Sequence, residues 1–185
     1  MKLGDFFKEG VRNIRTTGSI TPSSKFLCKK MVSKVDFSDA DLVVELGAGD
    51  GVLTEHILEQ LGTDTYLLVF EINPKLCAII KSRFQDERMI LVEDSAEKLP
   101  YYIKKYNLPE VDYVISALPF TSLPKELAPR ILSVCEQSLR KGGKFVQMHY
   151  TLVLRKLYKR IFGNLKVDFA PINVPPAFVF VCEKE

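Results

Sequence analysis

Three glycines at alternate positions, Gly47, Gly49 and Gly51, follow an apolar run that begins at Leu42. Glycines at this spacing let the backbone turn sharply and approach a ligand closely, because no Cβ atom obstructs positive φ angles or the ligand itself. The acidic residue Glu45 lies just before the turn. The sequence therefore predicts a binding loop for a nucleotide-like cofactor, placed between a strand and the helix that follows it.

The glycine spacing differs from that of a dinucleotide-binding loop. In the fingerprint G-x-G-x-x-G, counted from Gly47, the third glycine would stand at Val52, whereas it stands at Gly51 in this chain. A pyrophosphate also prefers a helix N-terminus without negative charge, yet this loop carries Glu45 and Asp50. These acidic residues suit a ligand that has hydroxyl groups and a positive charge.

Two further carboxylates follow apolar runs in the same manner. Residues 65–70 lead into Glu71, which lies 20 residues after Gly51, and residues 89–93 lead into Asp94. A carboxylate offers two acceptor oxygens in one plane, which fit two vicinal hydroxyl groups. Because the carboxyl ends of parallel strands meet at one edge of a sheet, we expect these acids to line one ligand site.

This series of motifs resembles the class I S-adenosylmethionine-dependent methyltransferases, in which E-x-G-x-G-x-G follows the first strand. The resemblance implies an α/β, Rossmann-like fold with a seven-stranded, mostly parallel sheet, an antiparallel C-terminal hairpin and N-terminal helices. It implies S-adenosylmethionine as the cofactor, with Glu71 on the ribose and Asp94 near the adenine amine. The residues expected to bind it are Glu45, Gly47, Ala48, Gly49, Gly51, Glu71, Ile72, Asp94, Ser95, Ala96 and Ala117, and, by resemblance alone, Ser19, Thr21 and Ser23 over the methionine moiety.

The spacing of the apolar runs predicts alternating strands and helices. Strands are predicted near residues 42, 66, 89, 112 and 145, with helices near residues 53, 75, 97 and 125 between them. This alternation implies a parallel sheet with right-handed crossovers. The glycine pair within residues 141–144 predicts a loop before a fifth strand at residues 145–150. Two more strands, near residues 165–170 and 177–183, would form the terminal hairpin.

The methyl acceptor is expected where the fourth strand ends, at Ala117, Leu118, Pro119 and Phe120. In methyltransferases that modify adenine N6, the matching tetrad begins with Asn or Asp, whose side chain accepts a hydrogen bond from the amine. Ala117 cannot do this, although backbone carbonyls could compensate. Phe120 offers a flat aromatic face to the cofactor or to a cationic amine. The resemblance favours Tyr150, at the end of the fifth strand, as the remaining residue of the acceptor pocket.

Three segments narrow the resemblance to the bacterial phospholipid N-methyltransferases that methylate phosphatidylethanolamine. The first is the basic head, residues 7–13, with the turn at residues 18–24. The second is the Leu118-Pro119 pair in place of a polar tetrad. The third is N-V-P-P-A at residues 173–177. The resemblance implies transfer of a methyl group to the amine of a phospholipid headgroup.

Length and composition predict one domain, because 185 residues with 46% hydrophobic residues suffice for a single sizeable core. We expect residues 1–36 to form an N-terminal helical cap that faces a membrane, and residues 37–185 to form the cofactor-binding domain. No signal peptide or apolar run of about 20 residues is recognisable, so a cytoplasmic protein, or one peripheral to the inner face of the membrane, is expected. The four cysteines are widely scattered, so neither a metal site nor disulfides are expected.

Charge is distributed unevenly along the chain. The net charge is +3, but residues 1–35 carry about +6 and the remainder about −3. Apolar residues recur at helical spacing in residues 2–15 and again in residues 154–161, next to several cations. Such a helix can lie in a membrane interface or can cover a sheet with its cations in solvent. The sequence favours the membrane for residues 2–15 and leaves both options open for residues 154–161.

Three alternatives to a phospholipid methyltransferase remain open. The basic head and the Leu-Pro-Phe sequence would suit a ribosomal RNA or other RNA adenine methyltransferase, although Ala117 opposes that chemistry. A small-molecule methyltransferase would share the same cofactor motifs. A non-catalytic cofactor-binding scaffold is disfavoured, because a scaffold has no need of three acidic strand ends.

Overall fold

Residues 25–185, the part of the chain that the computed structural model describes, fold around one seven-stranded sheet. The strands are β1 (Leu42–Leu46), β2 (Tyr66–Phe70), β3 (Met89–Val92), β4 (Val111–Ser116), β5 (Leu139–His149), β6 (Lys166–Ala170) and β7 (Ala177–Glu183). The helices of eight or more residues are α1 (Lys25–Val32), α3 (Pro74–Arg83), α5 (Leu127–Ser138) and α6 (Arg155–Phe162), with shorter helices α2 (Val52–Leu58) and α4 (Leu99–Lys105).

The order of the strands across the sheet is β3-β2-β1-β4-β5-β7-β6. Strands β1 to β5 run parallel, whereas β7 is antiparallel to both β5 and β6. This arrangement confirms the predicted seven-stranded sheet with its antiparallel C-terminal hairpin. Because the order reverses between β1 and β4, the carboxyl ends of these two strands flank the crevice in which open α/β sheets bind their ligands.

Helices cover both faces of the sheet, which explains why the central strands are mostly apolar, with Glu45, Asp112 and Ser116 as the polar residues of β1 and β4. Strands β1 and β4 are buried at every position. One face packs against α4, α5 and α6, and the other against α1, α2 and α3. Strands that are buried on both faces read as continuous apolar runs rather than alternating ones. Apart from Glu45 in β1, the polar groups of a ligand site are therefore expected where the strands end.

The fifth strand is longer than the sequence predicted. The expected loop at residues 141–144 is part of β5, which ends at His149 rather than at Tyr150. The N–H of Gly142 donates to the carbonyl of Lys184 at 2.8 Å, and the N–H of Lys184 donates to the carbonyl of Gly143 at 2.9 Å. These bonds extend the pairing with the C-terminal strand past both glycines. Tyr150 therefore lies just beyond the strand.

The amphipathic face of α6 packs inside the protein. Tyr158 is fully buried, and Leu154, Leu157 and Ile161 pack against the core of the sheet face that it covers. Of the two options that the sequence left open for residues 154–161, the structure shows the helix covering the sheet. The four cations of α6 are exposed to solvent.

Some predictions fall on residues 1–24, outside the described residues. They are the amphipathic helix at residues 2–15 and the cofactor contacts of Ser19, Thr21 and Ser23. The division between residues 1–36 and 37–185 stays a prediction as well. Within the described range, α1 buries Leu27 and Met31 in the core that it shares with α2. No helix between residues 25 and 185 is long and apolar enough to cross a membrane.

Candidate active site

The carboxyl ends of β1 to β4 bring the predicted cofactor residues together at one edge of the sheet. A small cavity there is lined by residues that follow these four strands or pack beside them. Its lining consists of Gly47, Phe70, Glu71, Ile72, Asp94, Ser95, Ala96, Leu118 and Ile131. Six of these residues were predicted from the sequence as cofactor ligands and one as part of the acceptor site. Phe70 and Ile131 are apolar walls that the motifs did not indicate.

The glycine loop leaves room for a ligand on one side only. Gly47 has a φ of +75°, and a Cβ atom there would lie 2.8 Å from the side chain of Leu118. Gly49 has a φ of +61°, and a Cβ atom there would meet nothing within 4 Å. Both φ values lie in the left-handed region that favours glycine. The loop is therefore closed against the protein at Gly47 and open at Gly49, as a cofactor cradle requires.

Glu45 is the most unusual group at this edge, because it is fully buried in β1. Neither of its carboxylate oxygens has a hydrogen-bond partner among residues 25–185, and neither does the buried hydroxyl of Thr54. Burial raises the pKa of Glu45 to about 8, and the charge of Glu71 adds to this rise. The Thr54 hydroxyl is close enough to oppose the rise, although it is not placed to form a hydrogen bond with the carboxyl group. An unsatisfied buried carboxyl group is costly, and a ligand with hydrogen-bond donors and a positive charge would relieve that cost.

We expect Glu45 to make the stability of the cofactor-free protein fall as the pH rises. In the folded protein Glu45 keeps its proton up to about pH 8, whereas the ordinary pKa of the carboxyl group, expected in the unfolded chain, is 4.5. The stability that follows from this higher pKa is fully present below pH 4.5 and is lost between pH 4.5 and about pH 8. The Glu45→Gln variant lacks this loss, so its melting temperature should rise relative to that of the wild type across the same range. Calorimetry at several pH values tests this, and a difference independent of pH would contradict it.

Glu71 ties the glycine loop to the end of β2. Its Oε2 atom accepts a hydrogen bond from the N–H of Gly49 at 2.9 Å, and its Oε1 atom accepts one from the N–H of Asn73 at 2.8 Å. Asn73 in turn caps α3, because its side chain accepts from the N–H of Lys75 at 3.0 Å. Burial raises the pKa of Glu71, and hydrogen bonds from the backbone N–H groups of Asn73, Gly49 and Ile72 oppose the rise. A carboxylate offers about four acceptor sites, so these donors leave room for a bond from a ribose hydroxyl.

Asp94 is held at the end of β3 by three donors. It accepts from the N–H of Ser95 at 2.7 Å, from Nζ of Lys98 at 2.9 Å and from the hydroxyl of Tyr102 at 2.9 Å. Burial acts to raise its pKa, but the three hydrogen bonds outweigh it, so the pKa of Asp94 lies below its ordinary value. The carboxylate is therefore ionised and can accept from an amine. Sequence reasoning missed Lys98 and Tyr102, although Lys98 lies only four residues after Asp94 in the sequence.

The acceptor loop after β4 is held by a backbone hydrogen bond within the loop and by a side chain of β5. The carbonyl of Leu118 accepts from the N–H of Phe120 at 2.9 Å and from Nε2 of Gln147 at 3.0 Å. Gln147 is fully buried on β5 and was not predicted from the sequence. Phe120 is 2% exposed, and its ring packs near that of Phe145. Because Phe120 is buried, its role in acceptor binding stays a prediction. The two hydrogen bonds to the Leu118 carbonyl use both of its lone pairs.

Tyr150 and His149 lie in different environments after β5. His149 is buried, with Nε2 3.0 Å from the hydroxyl of Tyr158, and burial lowers the pKa of His149 to about 4. It is therefore neutral at physiological pH. Tyr150 is 37% exposed, and burial raises the pKa of Tyr150, against which a hydrogen bond with the Asn173 side chain acts. Of these two residues, Tyr150 is the one that solvent can reach, and its part in the acceptor pocket stays a prediction.

The sheet order, the glycine cradle and the acidic strand ends define a class I S-adenosylmethionine-dependent methyltransferase. A family model described as a methyltransferase domain matches residues 43–143, so the chain belongs to this family of enzymes. The buried unpaired Glu45, the open side of Gly49 and the remaining acceptor site of Glu71 fit S-adenosylmethionine, which is the cofactor of the family.

Individual relatives differ in substrate. The chain is 32% identical to the ornithine lipid N-methyltransferase of Singulisphaera acidiphila, over 97% of this chain and 93% of that protein. It is 25% identical to the ribosomal RNA small subunit methyltransferase A of Thermotoga petrophila, over 92% of this chain and 68% of that protein. Among solved structures, the 1,6-didemethyltoxoflavin-N1-methyltransferase of Burkholderia thailandensis, with bound S-adenosylhomocysteine, has a TM-score of 0.69 and 13% identity over 97% of this chain and 88% of that one. That likeness shows the shared fold.

The described residues contain no group of three or more His, Cys, Asp or Glu side chains that could hold a metal ion. The four cysteines all lie in this part of the chain, where they are buried and no disulfide joins them. Burial raises the pKa of Cys28 to about 12 and that of Cys135 well above its ordinary value. Thiols of this kind are not reactive nucleophiles.

Proposed function

We propose that this enzyme transfers methyl groups to the primary amine of a zwitterionic lipid headgroup, with phosphatidylethanolamine as the first candidate and an ornithine lipid as the second. The observation that carries the proposal is the acceptor loop, in which the first residue is Ala117 and the Leu118 carbonyl is saturated. The similarity to an ornithine lipid N-methyltransferase over nearly the whole of both chains supports it.

The acceptor loop argues against adenine as the substrate. Recognition of an N6 amine needs acceptors for its two N–H groups, and the methyl side chain of Ala117 provides none. Compensation by the Leu118 carbonyl is opposed by its existing bonds from Phe120 and Gln147. A lipid amine has no planar hydrogen-bonding edge to match. It needs to be positioned and kept neutral.

Apolar surroundings suit the reaction of such an amine. S-adenosylmethionine, when bound, supplies a sulfonium methyl group that a neutral amine attacks in line. Leu118 and Pro119 disfavour the charged ammonium form by desolvation, because burial lowers the pKa of an amine. Orientation and desolvation then provide most of the rate enhancement. Tyr150, which lies just beyond β5 and is partly exposed, is our candidate for orienting the amine through its hydroxyl group.

The cofactor roles that we propose follow the geometry of the edge. Glu71 would hold the ribose hydroxyls, and Asp94 with Ser95 and Ala96 would hold the adenine. The remaining predicted ligands within residues 25–185 would surround the methionine and ribose end; they are Glu45, Gly47, Ala48, Gly49, Gly51, Ile72 and Ala117. Ser19, Thr21 and Ser23, predicted over the methionine moiety, lie outside the described residues. A cytoplasmic enzyme, peripheral on the inner face of the membrane, would meet both the cofactor and the lipid.

The proposal is tested by methyl transfer from labelled S-adenosylmethionine in three parallel assays. One contains vesicles with phosphatidylethanolamine, the second contains vesicles with an ornithine lipid, and the third contains ribosomal RNA. We expect label in the organic extract of a lipid assay and none in RNA, with the label lost in the Glu45→Ala variant, which lacks the carboxyl group beneath the cofactor loop. Label in RNA alone would overturn the proposal in favour of the RNA methyltransferase alternative, which the second relative represents.

A further inference from the structure

Two loops leave the sheet at the same edge as the active site. One follows β5 at residues 150–154, and the other joins β6 to β7 at residues 171–176. Because His149 pairs with Phe178 and Ala170 pairs with Ala177, both loops lie beyond the carboxyl end of β5. A hydrogen bond between the side chains of Tyr150 and Asn173 links them.

The tips of these loops expose aliphatic side chains to an unusual degree. Val174 is 76% exposed, Val153 is 73% exposed and Ile172 is 68% exposed. They are the three most exposed large hydrophobic residues between positions 25 and 185. Exposed aliphatic groups on two linked loops at one edge of the sheet indicate a surface that contacts an apolar partner.

Cations that form no ion pair within residues 25–185 follow the first of these loops in the sequence. From Tyr150 to Val167 the sequence holds five basic residues and no acidic one; the five are Arg155, Lys156, Lys159, Arg160 and Lys166. In the described structure none of these five takes part in an ion pair, whereas the next acid, Asp168, is paired with Lys34. The first four are exposed on α6, whose apolar face is already packed against the sheet. The helix therefore presents charge outward, and the loops present the apolar groups.

We propose that this surface, residues 150–153, 155–160 and 171–174, docks onto an anionic lipid bilayer. The loop tips enter the interfacial region, and the cations of α6 contact the lipid phosphates. The proposal rests on the proposed function, since docking in this orientation brings the active-site edge to the headgroup amines. A bilayer fits better than RNA, because RNA requires the cations but gives no reason to expose Val153 and Ile172.

The test uses vesicles of phosphatidylethanolamine and phosphatidylglycerol, co-sedimented with the full chain. We expect the Val153→Ser/Ile172→Ser variant to partition onto the vesicles about tenfold more weakly than the wild type, because two aliphatic groups no longer leave water. The Arg155→Gln/Lys156→Gln variant should lose binding at low salt and show a smaller salt dependence. The matched controls are Ile79→Ser and Lys75→Gln/Lys81→Gln on the exposed side of α3, which should bind as the wild type does.

Methylation of a short-chain phosphatidylethanolamine, dispersed as monomers, separates docking from folding and catalysis. We expect the loop-tip variant to keep its rate on this substrate while its rate on vesicles falls with its binding. Wild-type binding by the loop-tip variant, or an equal loss on monomeric substrate, would overturn the docking surface. Two further results would overturn it. One is binding of the wild type to RNA that the Arg155→Gln/Lys156→Gln variant loses, and the other is a dimer of the wild type that dissociates in the Val153→Ser/Ile172→Ser variant. If vesicles bind as expected but no lipid form is methylated, the proposed function fails and the docking surface stands.

Discussion

Replacing Glu71 with glutamine is expected to weaken the binding of S-adenosylhomocysteine by about 2 kcal/mol, which is roughly a 30-fold rise in Kd. The carboxylate accepts from the N–H groups of Gly49 and Asn73, one at each oxygen. A glutamine must turn its NH₂ group towards one of these donors, and it also loses the negative charge that strengthens bonds to ribose hydroxyls. The loop and the ligand are therefore weakened together.

Isothermal titration calorimetry measures this effect directly, because it needs no knowledge of the methyl acceptor. The matched control is Glu93→Gln, which replaces an exposed carboxylate at the end of the neighbouring β3. Its affinity should equal that of the wild type. An unchanged Kd in the Glu71 variant would remove Glu71 from the site, and an equal weakening in both variants would point to a general electrostatic effect.

The cofactor edge could be predicted from the sequence because its signals are local. Each element of the pattern, such as the glycines after β1 or Glu71 after β2, is a short run in which an apolar strand gives way to a special residue. The parallel topology then brings these runs together without further information. The structure places Gly47, Glu71 and Asp94 around one cavity, as this reasoning requires.

Contacts that depend on register could not be predicted in this way. Gln147 reaches the Leu118 carbonyl only because it lies opposite Ser116 in the pairing of β4 with β5. Nothing in the sequence around Gln147 indicates a partner 29 residues away. The extension of β5 through Gly142 has the same origin, because it depends on pairing with Lys184, which follows β7.

Asp112 stabilises the edge of the sheet that lies opposite the active site. It is a buried residue near the start of β4, and its Oδ2 atom accepts from the N–H groups of Asp41 at 2.8 Å and Leu42 at 3.0 Å. Its Oδ1 atom accepts from Nε of Arg140. One carboxylate thus joins the start of β1, β4 and β5. Sequence patterns did not single it out, because a lone acid inside an apolar run has no recognisable spacing.

The Asp112→Ala variant is expected to lose about 3 kcal/mol of stability, because two backbone N–H groups and a guanidinium lose their common acceptor. For a chain of this size the melting temperature should fall by about 6–12 °C. Arg140→Ala should cost less, since Asp112 keeps both backbone donors and the Arg140 side chain is 38% exposed. Asp39→Ala, at an exposed acid close to the same edge, is the control and should melt as the wild type does.

The Asp112→Ala variant also separates stability from function. All three donors to Asp112 lie at the amino ends of the strands, whereas Glu71 and the glycine loop lie at the carboxyl ends. Well below its melting temperature, Asp112→Ala should therefore bind S-adenosylhomocysteine with the wild-type Kd. A weakened Kd with an unchanged melting temperature would mean that Asp112 acts on the cofactor site, which the geometry of the sheet opposes. Glu71→Gln should give the opposite result in calorimetry, with a weaker Kd for S-adenosylhomocysteine and a melting temperature close to that of the wild type. Its hydrogen bonds hold the glycine loop and the residues after β2, and not the start of three strands.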